Sequence, residues 1–125
     1  MQDPKRIVVV DDDPSLLKSL GRLLRQHSFE PVLFSSAQEF LSHAEFQEAC
    51  CIVLDINLQD GSGIELRDRL ARAGVTTPVI FMTGNTDERT RERALEVGCF
   101  SFLTKPFPAH ELLHPLQQLC SAGPA

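Results

Sequence analysis

The sequence predicts an α/β protein built on one parallel sheet with helices on both faces, and three observations predict it. Five short apolar runs, each of strand length and rich in Val, Ile or Phe, recur along the 125 residues. Stretches with apolar residues at helical spacing fill the intervals between them. Carboxylates, hydroxyls and an ammonium follow directly behind the runs. Strands that alternate with helices imply right-handed βαβ units, and such units leave a sheet covered on both sides.

Taken in order, the first run is Arg6–Val10, followed at once by Asp11-Asp12-Asp13. Asp13 suits a helix N-cap and Pro14 the first helical position, ahead of a stripe formed by Leu16, Leu20, Leu23 and Leu24. The second run, Pro31–Phe34, precedes a stripe of Ala37, Phe40, Leu41 and Ala44. The third, Cys50–Leu54, leads into Asp55 and then a helix carrying Ile64, Leu66, Leu70 and Ala71, which Gly74 should stop. After the fourth run, Pro78–Met82, come Thr83-Gly84 and a mostly charged helix near Thr86–Val97, with only Ala94, Leu95 and Val97 to bury. The fifth, Phe100–Leu103, is followed by Thr104-Lys105 and a last helix from about Pro108 that carries Leu112, Leu113, Leu116 and Leu119. Pro115 should delete the hydrogen bond to the Glu111 carbonyl and kink or break that helix.

The chain is expected to form a single domain over 1–125, with an ordered core from about 5 to 120. A net charge of −5 argues against direct nucleic-acid binding, which needs a basic surface. Lys5-Arg6 precedes only four apolar residues, too few for a signal-peptide core, and no run approaches the ~20 residues of a membrane helix. A cytoplasmic location follows as the expectation. Cys50, Cys51, Cys99 and Cys120 show no C-x-x-C spacing and read as buried free thiols.

Parallel α/β sheets bind ligands outside the carboxyl ends of their strands. The residues gathered there are Asp11-Asp12-Asp13, Ser35-Ser36, Asp55, Thr83-Gly84 and Thr104-Lys105. Four segments in this set, VVVDDD, LDINLQDGSGIEL, FMTGN and FSFLTKPF, make the chain resemble a response-regulator receiver domain of two-component signalling over nearly its whole length.

The resemblance implies a flavodoxin-like (βα)5 fold with strand order 2-1-3-4-5. Asp55 matches the phosphoacceptor, Asp11 and Asp12 the acidic pair, Thr83 the hydroxyl that senses the phosphoryl group, Lys105 the motif lysine and Phe102 the switch aromatic. Asp12, Asp55 and the backbone carbonyl of Asn57 would bind Mg²⁺, with Asp11 acting mainly through water; Mn²⁺ could substitute. The Lys105-Pro106 bond is expected to be cis. Asn57 and Asn85 match positions that tune dephosphorylation. The implied partners are a sensor histidine kinase and an output domain or protein controlled by the helix 4, strand 5 and helix 5 face, with phosphorylation-dependent dimerisation as a further outcome. The wording VVVDDDPS, MTGNTDE and FLTKPF resembles receivers that precede helix-turn-helix domains and so points to transcription regulation.

The residues fit that chemistry on their own terms. In this strand order the first and third strands are neighbours, ~4.8 Å apart. Asp11, Asp12 and Asp55 then share one volume and repel unless a cation intervenes. Mg²⁺ takes oxygen ligands and commonly pairs one or two carboxylates with a phosphate. Three carboxylates, Mg²⁺ and the Lys105 ammonium sum to zero. Asp55 would be the nucleophile, exposed for attack on phosphorus and forming an acyl phosphate. Singly, Asp13 reads as a cap, Thr83 as a strand end, Phe102 as a core aromatic and Lys105 as punctuation before a proline; their joint placement points to a site.

His110-Glu111-Leu112-Leu113-His114 also spells the zinc-protease pattern H-E-x-x-H, so a small zinc hydrolase is an alternative. It lacks a third ligand in PLQQLCSAGPA, and Pro115 disturbs its helix. A docking module indifferent to phosphate is a third reading, opposed by the intact Asp12, Asp55 and Lys105. Gln59 stands where the family usually has proline, which should loosen the loop, although the following DGSG can still turn.

Overall fold

The structure is a computed structural model that describes residues 5–43, 48–84 and 87–121. Its sheet has five parallel strands: β1 (Lys5–Val10), β2 (Phe29–Phe34), β3 (Cys51–Asp55), β4 (Val79–Thr83) and β5 (Ser101–Thr104). Their spatial order is 2-1-3-4-5, the doubly wound arrangement that the family resemblance implies. The helices are α1 (Pro14–Gln26), α2 (Ala37–His43), α3 (Gly63–Arg72), α4 (Glu88–Val97) and α5 (Ala109–Ser121).

Alternation along the strands divides the core between two faces. Ile7 and Val9 of β1, Val53 of β3 and Ile80 and Met82 of β4 join Leu20, Leu24, Leu112 and Leu116 of α1 and α5. Val8 and Val10, Ile52 and Leu54, and Phe81 point the other way, onto Phe40, Ile64, Leu70 and Ala94 of α2, α3 and α4. Central strands apolar on both faces are what a parallel sheet under two helical layers requires.

The local signals act as expected at several boundaries. Asp13 caps α1, its carboxylate accepting from the Ser15 and Leu16 N–H groups, with Pro14 inside the first turn. Gly74 ends α3 at φ +85°, where a side chain would be strained.

Five expectations are corrected. β3 and β4 each run one residue further than predicted: Asp55 pairs with Met82, and Thr83 with Thr104. Both functional candidates are therefore the last rungs of a ladder, with their backbones pinned. Phe100 precedes β5 and is 47% exposed, and Leu95 is turned to solvent. α5 passes through Pro115 without a break, because Leu112, Leu113 and Leu116 anchor its turns in the core. Of the four cysteines, all free thiols, only Cys51 is fully buried; burial pushes its thiol pKa well up. Ala44 and Thr86, assigned to the second and fourth helices by their spacing, lie outside the described residues.

Candidate phosphoacceptor site

The carboxyl ends of β1 and β3 bring Asp11, Asp12 and Asp55 together. One oxygen from each lies within 4.8 Å of the others, the only such group of potential metal-ligating side chains among the described residues. Asp11 is fully buried, Asp12 is half-buried, and Asp55 is 4% exposed. The Lys105 ammonium, carried in from beyond β5, lies 2.6 Å from Asp11 Oδ2 and 3.0 Å from Asp55 Oδ2. The two carboxylates that share the deepest part of the site are thus bridged by one cation.

Asp55 is enclosed more than the sequence suggests. Lys105 sits on its Oδ2, and the Asn57 main-chain N–H donates to its Oδ1 at 2.9 Å, leaving little of the side chain in contact with solvent. Burial raises its pKa above the usual carboxylate range and Asp11 adds to the effect, against the opposing pull of the Asn57 N–H and Lys105. For Lys105, burial pulls the pKa down, but the hydrogen bonds and charges of Asp11 and Asp55 outweigh it and the net shift is upward. The ammonium is held in its charged form.

Thr83, at the end of β4, is fully buried, and its hydroxyl accepts from the Asn57 side-chain amide at 3.1 Å. Asn57, expected to tune dephosphorylation, thereby connects the segment behind Asp55 to the hydroxyl candidate. The Lys105 N–H donates to the Thr83 carbonyl at 2.7 Å, and Lys105-Pro106 is cis, as expected. Phe102 is half-buried and packs with Val97 and Cys99 against the core on the α4 side. Asn85 lies outside the described residues.

Sequence reasoning expected a turn behind Asp55 but missed what its residues reach. Asn57–Leu58 pairs with Gly61–Ser62 as a small antiparallel hairpin, and both residues at its tip are tied down. The Gln59 N–H donates to Asp12 Oδ2 at 2.9 Å. The Asp60 carboxylate accepts from the Ala37 and Gln38 N–H groups at the start of α2, each at 3.0 Å, and these bonds hold its pKa below the ordinary range. The loosening expected from Gln59 is therefore countered by two anchors, one of which a proline at 59 would lack. The only available signal was the Asp-Gly pair, which specifies a turn and says nothing of what its carboxylate reaches. At Gly63 a Cβ would overlap the carbonyl of Asp55, so glycine is what lets α3 start directly behind the site.

The three carboxylates fit a hard divalent cation: oxygen donors, partly buried, at one focus, with a backbone carbonyl at Asn57 two residues along from Asp55. The H-E-x-x-H alternative fares differently. His110, Glu111 and His114 are all exposed on α5 and form no group of three ligands.

Residues 7–117 match the family model described as the response regulator receiver domain. Nodulation protein W of Bradyrhizobium diazoefficiens is 40% identical over 107 residues, covering 86% of this chain and 47% of that protein. Response regulator protein TmoT of Ectopseudomonas mendocina is 33% identical over 126 residues, covering 99% of this chain and 57% of its own. The chain thus spans about half the length of these curated relatives. Among solved structures, a response regulator receiver protein from Pseudoalteromonas atlantica superposes with a TM-score of 0.89 at 29% identity, covering 95% of this chain and 99% of that one.

Proposed function

Because the chain belongs to the response regulator receiver domain family, we propose that it accepts a phosphoryl group on Asp55 from the phosphohistidine of a sensor kinase. A carboxylate oxygen of Asp55 attacks phosphorus, the P–N bond breaks, and the imidazole leaves with the electron pair and takes up a proton. Attack by water on the resulting acyl phosphate releases inorganic phosphate and restores the carboxylate. The observation that carries this reading is the convergence of Asp11, Asp12 and Asp55 within 4.8 Å under the Lys105 ammonium.

Each residue has a definable task. Asp12, Asp55 and the Asn57 carbonyl would hold Mg²⁺ or Mn²⁺, with Asp11 acting mainly through water. When bound, the ion neutralises charge on the phosphoryl oxygens. Lys105, already drawn to Asp55, transfers its ammonium to a phosphoryl oxygen, which is the role its compact charge and long stem suit. The Thr83 hydroxyl gives up the Asn57 amide to donate to another oxygen. That inward turn frees space for Phe102 and biases α4, the hypothesised population shift. Asn57 and Asn85 would tune the lifetime of the acyl phosphate.

The output face of α4, β5 and α5 would control a further domain or partner, by analogy with relatives named as transcriptional regulators such as TdiR of Thauera aromatica. A cytoplasmic setting suits that role, and dimerisation on phosphorylation would be one form of the output. The test is incubation of wild type and Asp55→Ala with acetyl phosphate and Mg²⁺, followed by intact mass measurement. One added phosphoryl group on wild type and none on the variant is expected. Equal labelling of the two, or none on wild type, overturns the proposal.

A further inference from the structure

Two thiols from distant parts of the chain meet at the amino ends of the strands, the end of the sheet remote from Asp55. Helix α5 follows β5 and runs back antiparallel to the strands for 13 residues, a length of about 20 Å. A strand of five or six residues is about as long, so the last turn of α5, with Cys120, comes level with the starts of β1 and β3. Cys50 stands immediately before β3, its N–H donating to the Arg6 carbonyl of β1 at 2.8 Å. Both side chains are half-buried and pack against the core layer of α1 and α5. There the Cys120 S–H donates to the Cys50 sulfur, and the Lys5 ammonium lies close enough to act on Cys120.

The other two cysteines are placed differently. Cys51 adjoins the pair but is fully buried, with its S–H on the Ile52 carbonyl. Cys99 packs in the opposite core layer, so the sheet separates it from the pair. Sulfurs already in hydrogen-bonding contact need only a small approach to bond, whereas thiols on separate faces need the backbone to move. Roles within the pair follow from its surroundings. Burial, and then the Cys50 sulfur, push the Cys120 pKa up to about 12. Cys120 is the partner that keeps its proton, so the attacking sulfur is that of Cys50.

We propose that Cys50 and Cys120 are a hydroperoxide-reactive pair that closes reversibly to a disulfide, a second chemical site at the end of the sheet opposite Asp55. The Cys50 sulfur, giving up its proton, attacks one oxygen of the peroxide. The O–O bond breaks, the displaced oxygen leaves as water, and Cys50 becomes a sulfenic acid. The Cys120 sulfur then attacks that of Cys50, the S–O bond breaks, and the hydroxyl leaves as water with the Cys120 proton. In sum, two thiols lose two electrons and one hydrogen peroxide is reduced to two waters. A dithiol reverses the step by exchange. The bond fastens the last turn of α5 to the start of β3, and it needs neither a metal ion nor the phosphoryl chemistry.

The experiment treats the reduced protein with hydrogen peroxide, removes the excess with catalase, and alkylates the remaining thiols in guanidinium. Alkylatable thiols should fall from the four of the reduced chain to two. Peptide mapping should join Cys50 to Cys120, the protein should stay monomeric on a non-reducing gel, and dithiothreitol should restore the thiols. Cys99→Ser should still lose two thiols. With dimedone present, Cys120→Ser should be trapped as the Cys50 sulfenic acid, while Cys50→Ser should show no adduct on Cys120. Closing so long a loop should raise the Tm by about 10 °C. A linkage through Cys51 or Cys99, an intermolecular bond, or four surviving thiols overturns the proposal. So does a Tm that falls on oxidation, which would mean that the sulfurs meet only by distorting the fold. Should either serine variant fail to fold, the wild-type linkage map decides alone.

Discussion

Helices α4 and α5 flank the same edge of the sheet and invert what their local sequences favour. α4 is well made as an isolated segment. Asp87 caps it by accepting the Arg89 N–H at 3.1 Å, and Gly98 closes it at φ +91°. Yet Ala94 is its only buried side chain. α5 contains a proline in its interior and still runs 13 residues, because Leu112, Leu113 and Leu116 are buried against β1, β3 and β4. Tertiary contacts decide which helix is fixed, and local preference does not. Just beyond the far end of α4, Arg67 Nε donates to the Gly98 carbonyl at 3.1 Å, and the Nη1 of that arginine is buried without a partner. A helix so sparsely anchored is the one that the change proposed at Thr83 would displace.

The largest expected effect tests the anchoring of α5. Leu112 is fully buried, so Leu112→Ala removes a packed side chain and leaves a cavity. Chemical denaturation should show a loss of about 2–5 kcal/mol. A loss under about 1 kcal/mol would mean that α5 is no better anchored than α4.

Next in size is the proline itself. Pro115→Ala restores the N–H that can donate to the Glu111 carbonyl and relieves the clash with the preceding turn. The greater freedom of the unfolded chain offsets part of that gain. A net stabilisation of about 1–2 kcal/mol, read as a higher urea midpoint with an unchanged m-value, is expected. A destabilised variant would show that Pro115 contributes packing worth more than the hydrogen bond it forfeits.

The same contrast explains how much of the molecule was legible in its sequence. The strands and their polar ends were readable because apolar runs and the residues behind them are local patterns. Asp13, Pro14 and Gly74 announced their boundaries because capping is local too. The placing of Asp11, Asp12, Asp55, Thr83 and Lys105 at one end of the sheet followed from topology alone. What could not be read was long-range and specific: the Asp60 carboxylate on the amides of α2, and the Gln59 N–H on Asp12. Gln59 even suggested the opposite, a looser loop, since only the fold reveals that its N–H has an acceptor. Leu95 misled for a related reason. Its apolar side chain fits a helical stripe, but α4 does not turn that position toward the sheet.

The smallest expected effect is therefore at Leu95, and it is the most telling. This side chain is 60% exposed, so Leu95→Ser should change stability by no more than about 0.5 kcal/mol despite removing a large apolar group. Native-state amide exchange supplies the matching measurement: the amides of α4 should exchange through small local openings, and those around Leu112–Leu116 in α5 only near the global unfolding free energy. Exchange in α4 as slow as in α5, or a cost at Leu95 comparable with that at Leu112, would show that α4 is packed as firmly as its neighbour. The displacement hypothesised for the phosphorylated state would then have to begin elsewhere in the molecule.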